Sequence, residues 1–435
     1  MSNLVTKLKQ VVTTSTIRRN IGRTLARQIF AALIQLLVVI LIARKLGPEG
    51  NGLYAMAVLV PTLLANFLNF GVGPATVYFL GRKEVSTKQA LIGNTKLGFI
   101  LVLVGTLITV PVLLLWGDHV FPGVPRGLLL IGLAGYPIVL LLAFLSTILQ
   151  GLEDFRAFNT AVLFPPIVTL LAVVLSLHIL ESGVLGALVS YVSGQLAGLL
   201  VVIFHLRVHL RKFSGAPVLS PSMPRYSYER RVLGYGWKAH LSNVVTFINY
   251  RADIFLVNFF LSPAVTGVYV IAVQIAEKLW MPSQAVSTVL YPRFSAMSDE
   301  PKARLKLANR GVFLVATITG LISVIAVLGL HWVIGPVFGE EYNQALPAFL
   351  WLMPGVVFWA GARVQANCIA AAGKPEWNMY TSFLVVAINV IGNVLLIPRF
   401  GIVGAAWATS VSYICDAVIK FFLVSKTAKV QNCLS

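Results

Sequence analysis

Polar and apolar positions along this chain fall into long blocks. Mostly apolar stretches of about twenty residues, enough to cross about 30 Å of hydrocarbon as a helix, recur from end to end. They lie at 24–45, 52–80, 89–116, 127–150, 157–180 and 184–206, and after a polar gap at 232–261, 264–293, 308–331, 345–371, 376–398 and 401–425. The pattern predicts an all-α membrane protein of twelve transmembrane helices. Helices are preferred to barrel strands because the runs are continuous, without the alternation of a strand facing lipid on one side only. The two longest runs, 52–80 and 264–293, must tilt or bend, and Pro61, Pro74 and Pro282 are the places for it.

The polar gap, "RVHLRKFSGAPVLSPSMPRYSYERR" at 207–231, divides the helices six and six. The sequence thus predicts an N-terminal lobe at 1–206, a cytoplasmic linker at 207–231 and a C-terminal lobe at 232–435. The two halves also echo one another. Pro48, Gly52 and Tyr54 recur 215 residues later as Pro263, Gly267 and Tyr269. "GVLGA" (183–187) matches "GIVGA" (401–405), and "QGLEDFRAF" (150–158) matches "AGKPEWNMY" (372–380). Matches in this order predict a duplicated six-helix unit. Six is even, so both copies enter the membrane in the same sense, and the repeat is parallel. Transporters built this way hold substrate near the midplane and alternate access by rocking.

Composition agrees with the spans: 57% of residues are hydrophobic and 11% charged, where soluble domains carry about 25% charged. The net charge of +19 would suit nucleic acid, but its placement points to topology. With the N-terminus inside, 26 of the 34 lysines and arginines fall on the cytoplasmic side and 4 outside, namely Arg44, Lys45, Arg126 and Arg399. That asymmetry is a positive-inside signal placing both termini and the 207–231 linker in the cytoplasm. No nucleic-acid partner is expected. Membrane lipids are, with anionic headgroups a secondary partner. The first 27 residues are polar and basic, unlike a signal peptide. Cys368, Cys415 and Cys433 have no paired spacing, so neither a disulfide framework nor a metal site is expected.

The remaining basic residues, Lys238, Arg251, Lys278 and Arg363, lie within spans, as do Asp253, Glu277 and Asp416. Charges inside a bilayer are costly and mark either structural pairs or a functional cavity. On the seventh predicted helix, Lys238, Ser242, Thr246, Asn249 and Asp253 follow at spacings of three or four and share one face. Arg251, two residues from Asp253, points away from it and needs another partner. Glu277 lies at a similar depth on the next helix. Either that pair only fixes helix register, or the stripe lines a watery cavity for an anionic substrate. On the cavity reading the substrate-binding candidates are Arg251, Lys278, Arg363, Arg27 and Lys238, and the ion-coupling candidates are Asp253 and Glu277. Lys238 could also snorkel to the interface. Neither a Walker A pattern nor a hydrolase or zinc-protease motif is present, so no catalytic residue and no cofactor is expected.

The stretch "ARQIFAALIQLLVVILIARKLGPEGNGLYAMAVLV" resembles the first two helices of the polysaccharide (O-antigen and exopolysaccharide) flippases, members of the multidrug/oligosaccharidyl-lipid/polysaccharide exporter superfamily. "RADIFLVNFFLSPAVTGVYVIAVQIAEKLWMPSQAVSTVLYPRFS" resembles their seventh and eighth helices, where an aspartate precedes a Gly-x-Tyr turn; here these are Asp253, Gly267 and Tyr269. "AAAGKPEWNMY" resembles the segment entering the eleventh helix. The resemblance covers nearly the whole chain and specifies superfamily better than substrate. It implies a non-enzymatic transporter of two six-helix lobes in the bacterial plasma (inner) membrane. Such a protein moves undecaprenyl-pyrophosphate-linked oligosaccharide to the outer leaflet for polysaccharide biosynthesis, with H⁺ or Na⁺ as the coupling ion. Polysaccharide polymerase and export machinery are the implied protein partners. Lipid II flippases of the superfamily have two further helices, which makes that cargo a poorer fit.

Two other classes compete. A cation-coupled multidrug antiporter of the same superfamily would favour an acidic, aromatic cavity, whereas basic residues outnumber acidic ones within these spans. A membrane polymerase or ligase needs a sizeable outer loop, and the longest expected here is about 331–344.

Overall fold

A computed structural model describes the backbone of residues 2–213, 227–297 and 300–432. Its side chains are described from residue 29 onward, except at 212, 213, 227, 238, 239, 242, 285, 288, 292, 295, 296 and 427–432. Every extended element is helical: α1 (Ser2–Phe67), α2 (Val72–Gly81), α3 (Thr87–Val120), α4 (Arg126–Leu133), α5 (Tyr136–Gly151), α6 (Phe155–Val173), α7 (Gly183–Phe213), α8 (Ser227–Phe260), α9 (Pro263–Lys278), α10 (Met281–Ala296), α11 (Pro301–Phe338), α12 (Ala345–Ala371) and α13 (Pro375–Asn432). A π-helical turn, Val174–Ile179, prolongs α6, and a 3₁₀ turn, Glu340–Gln344, precedes α12.

Nine segments among the described residues are long and apolar enough to cross a membrane. Two of them, Ile29–Phe67 and Pro375–Lys426, are each longer than one crossing requires. Each is kinked at a glycine outside the helical region, Gly47 (φ 66°) and Gly401 (φ 60°). Large apolar side chains such as Leu107, Leu171, Phe204 and Ile325 stand exposed along the helices, as expected where the surrounding solvent is lipid. This is a multi-pass membrane protein. The charge-bearing α8, read from sequence as the span 232–261, is not among the nine.

The long runs break close to where their prolines predict. The first is interrupted at 68–71, where Phe70 and Gly71 take positive φ, three residues before Pro74; at Pro61 the helix continues. The second is interrupted at Leu279–Trp280, and Pro282 opens α10, where its missing N–H costs nothing. The expected outer loop 331–344 is shorter than read: nothing stops α11 until Gly339, so helix runs to Phe338 and a 3₁₀ turn fills the rest.

The chain forms two compact units. The first comprises Met1–Lys45, Ala57–Leu115 and Arg126–His240; the second comprises Leu46–Met56, Trp116–Pro125 and Leu241–Ser435. In the first unit the start of α8 is held by a polar knot. The Tyr228 hydroxyl donates to Asn94 Oδ1 at 2.8 Å, and Asn94 Nδ2 donates to the Phe144 carbonyl at 3.1 Å. Asn94 therefore serves interhelical packing, a common use of amides in membrane helices. Tyr235 stacks on Tyr78 at 4.4 Å, and Arg231 pairs with Glu84 at 2.7 Å.

In the second unit α10, α11, α12 and α13 pack around Leu290, Phe294, Val315, Val364, Cys368 and Val424. There too the Pro48–Gly52 turn of backbone lies directly against Pro263–Gly267. A Cβ on Gly52 would collide with the Pro263 carbonyl, and one on Gly267 with the Pro48 carbonyl. Only glycine lets the two backbones approach so closely. The Asn51 side-chain amide closes the crossing by donating to the Gly267 carbonyl at 3.0 Å.

Candidate functional site

The intramembrane charges of the second unit separate into two groups because Arg251 and Asp253 leave α8 in different directions. Two residues of helix rotate by about 200°, so neighbours in sequence face different surroundings.

Arg251 turns to the last helical turn of α9, where its Nη1 donates to Glu277 Oε1 at 2.7 Å. The two side chains are 35% and 19% exposed, so the pair is partly shielded. Beside it lies an aromatic cluster. Tyr250 packs on Trp280 at 5.4 Å and on Trp359 at 5.8 Å, and Trp280 meets Trp359 at 4.4 Å. Arg363, one turn beyond Trp359 on α12, lays its guanidinium over that ring at 5.0 Å, a cation–π contact. Its Nη1 makes no hydrogen bond among the described residues. Lys278 follows Glu277 and is half-buried. Arg251 and Arg363 thus flank one aromatic cluster, while Arg27 and Lys238 lie outside the described side chains.

Asp253 is 3% exposed and sits in a different setting. Its Oδ2 accepts from the Tyr269 hydroxyl on α9 at 2.8 Å and from Thr409 Oγ1 on α13 at 3.4 Å, and its Oδ1 accepts from the Ile254 N–H at 2.8 Å. The polar network continues through α13. Asn389 Nδ2 lies 3.3 Å from both Thr409 Oγ1 and Ser412 Oγ, and Asn393 Nδ2 donates to Asn389 Oδ1 at 3.1 Å. The kink at Gly401 makes this possible, folding the limb that carries the asparagines back along the limb that carries Thr409 and Ser412. Asn393 Oδ1 is buried and accepts no hydrogen bond among the described residues. Asp253 is thus a buried carboxylate that accepts from neutral donors, at one end of a hydroxyl–amide network in which one carbonyl oxygen is unsatisfied among the described residues. Farther along α13, Asp416 is occupied by Lys420 at 2.6 Å, and both are buried.

Sequence reading singled out Asp253 but missed its partner Thr409 and the residues that extend the network beyond it, Asn389, Asn393 and Ser412. A signal existed: two asparagines one helical turn apart in the apolar run "AINVIGN".

Residues 17–298 match the family model described as polysaccharide biosynthesis protein. The chain belongs to the polysaccharide biosynthesis protein family. Relatives of this family member include the probable low-salt glycan biosynthesis flippase Agl15 of Haloferax volcanii, 23% identical over 50% of this chain and 47% of that protein. The probable flippase AglR of the same organism is 24% identical over 47% of this chain and 42% of its own length. The aligned segments therefore span less than half of those curated relatives. The fold is similar to that of the lipid II flippase MurJ, solved in an inward closed conformation, with a TM-score of 0.76 at 17% identity over 92% of this chain and 87% of that one. An inward-facing multidrug resistance MATE transporter of the MOP superfamily gives 0.72 at 16% identity over 93% and 96%. These relatives are flippases and transporters rather than enzymes, and the resemblance to the polysaccharide flippases of the exporter superfamily holds.

Proposed function

We propose that the protein is a flippase for undecaprenyl-pyrophosphate-linked oligosaccharide in the bacterial plasma membrane, working by alternating access and driven by an H⁺ or Na⁺ gradient. The observation that carries this reading is the division of labour in the second unit. Guanidinium groups at Arg251 and Arg363 stand beside aromatic rings, apart from a buried carboxylate–amide network around Asp253. A pyrophosphate leaving water needs cationic donors, and the guanidinium fork offers two parallel hydrogen bonds to its oxygens. The substrate-binding set is Arg251, Lys278 and Arg363, with Arg27 and Lys238 added from the sequence. Asp253 is the coupling group, since a cation or proton entering its network neutralises a charge that is otherwise costly there. Glu277, already bonded to Arg251, is the weaker coupling candidate.

The proposed architecture is twelve helices in two six-helix lobes, 1–206 and 232–435, related by a parallel repeat with both termini cytoplasmic. Two observations support it. Gly183 and Gly401, equivalent in the repeated "GVLGA/GIVGA" motif, have nearly the same positive φ, 59° and 60°. The repeated Pro48–Gly52 and Pro263–Gly267 segments make reciprocal contacts on each other, as a two-fold relation between them requires.

The test uses proteoliposomes loaded with undecaprenyl-pyrophosphate-linked N-acetylglucosamine. Asp253→Asn should bind this lipid normally yet lose gradient-driven translocation, and Arg251→Ala or Arg363→Ala should weaken binding. Full gradient-dependent transport by Asp253→Asn removes the coupling role. Absence of any translocation by the wild type under either gradient overturns the flippase reading itself.

A further inference from the structure

The face of α11 ahead of its membrane stretch carries three basic residues that this reading leaves unused. Lys302, Lys306 and Arg310 are spaced four apart and share one side of the helix. All three are exposed, and none makes an ion pair among the described residues. They line a shallow, open recess along one face of α11 together with Leu305, Asn309, Phe313 and Leu314, and no acidic residue lines it among the described residues.

The depth of this recess can be read from α11 itself. Past Arg310 the exposed side chains turn apolar: Phe313 (74%), Leu321, Ile325, Leu328 and finally Trp332 (77%). From Arg310 to Trp332 the helix rises about 33 Å at about 1.5 Å per residue, close to the hydrocarbon thickness of about 30 Å. Trp332 then sits at one interface, where indole rings collect, and Arg310 at the other. Lys306 and Lys302 stand one and two turns farther out, at headgroup level.

We propose that this recess is a binding site for an anionic phospholipid. The phosphate lies between Lys306 and Arg310, Lys302 adds a third positive charge, and an acyl chain runs along Phe313 and Leu314. A free phosphate would use only the cationic half. A zwitterionic lipid would bring its own cation against three others. The apolar lower half and cationic upper half together fit a phosphate ester that carries a chain.

The experiment is lipid titration of the delipidated full chain by native mass spectrometry, with dioleoyl-phosphatidylglycerol against dioleoyl-phosphatidylcholine. Each basic residue near a membrane surface should favour the anionic lipid on the order of fivefold. The wild type should prefer phosphatidylglycerol by at least about tenfold, and K302Q/K306Q/R310Q should lose that preference at unchanged melting temperature. If the triple variant fails to fold, the exposed single changes Lys306→Gln and Arg310→Gln should each lower the preference about fivefold. R207Q/R211Q, which removes two exposed basic residues near the end of α7, should retain it. An unchanged preference in the α11 variants overturns the proposal. So does equal loss in R207Q/R211Q, or full competition by inorganic phosphate.

Discussion

Breaking the Arg251–Glu277 pair should couple the two residues' stabilities measurably. At an N–O distance of 2.7 Å the charge centres lie about 4 Å apart, which gives roughly 4 kcal/mol of attraction at an effective dielectric of about 20. Desolvation of both ions offsets part of that. Arg251 is also about one-third exposed, so screening reduces the net further. The expected coupling free energy is about 1–3 kcal/mol. Arg251→Ala alone should cost more than the coupling, because it strands the Glu277 carboxylate. A double-mutant cycle with Arg251→Ala and Glu277→Ala, read from reversible unfolding in mixed micelles, isolates the pairwise part. The reversed pair, Arg251→Glu with Glu277→Arg, should recover most of the lost stability. Additive single changes, with coupling below about 0.5 kcal/mol, would refute a net attraction between the two charges and leave the contact without a stabilising role. If stability returns in the reversed pair while transport does not, at least one of the two residues lies on the transport path.

Gly267→Val should force apart the backbone crossing at Pro48–Gly52 and lower stability by about 1–3 kcal/mol or more, measured as a drop in melting temperature; an unchanged value would mean that the crossing is loosely packed. Tyr228→Phe removes the hydroxyl that donates to Asn94 Oδ1 and should cost about 1–2 kcal/mol without creating a cavity. The Lys45 ammonium beside Glu181 holds that carboxyl below its ordinary value, so its contribution is present above the unfolded pKa and fades as pH falls through the lowered one. Because the pair is exposed and screened by water, that contribution is small, so Glu181→Gln should lower the melting temperature at pH 7 only slightly, and a large drop would contradict that placement.

The membrane class was legible from sequence because lipid acts on composition alone: a segment must be apolar and helical over a fixed length whatever its neighbours do. The breaks near Pro74 and Pro282 and the kinks at Gly47 and Gly401 are likewise local, set by backbone sterics. The Arg251–Glu277 pair was within reach too, since depth on consecutive helices follows from counting residues. Asp253's surroundings were not. Tyr269, Thr409, Asn389 and Asn393 come from helices up to 156 residues away in sequence, and nothing local sets which face of one helix meets which face of another. Packing also decided that Asn94 ties helices together, that Lys420 occupies Asp416, and that Lys302, Lys306 and Arg310 make no ion pair among the described residues. Side-chain chemistry is written residue by residue, but whether a charge finds a partner depends on rotations and crossings that only the assembled helices fix.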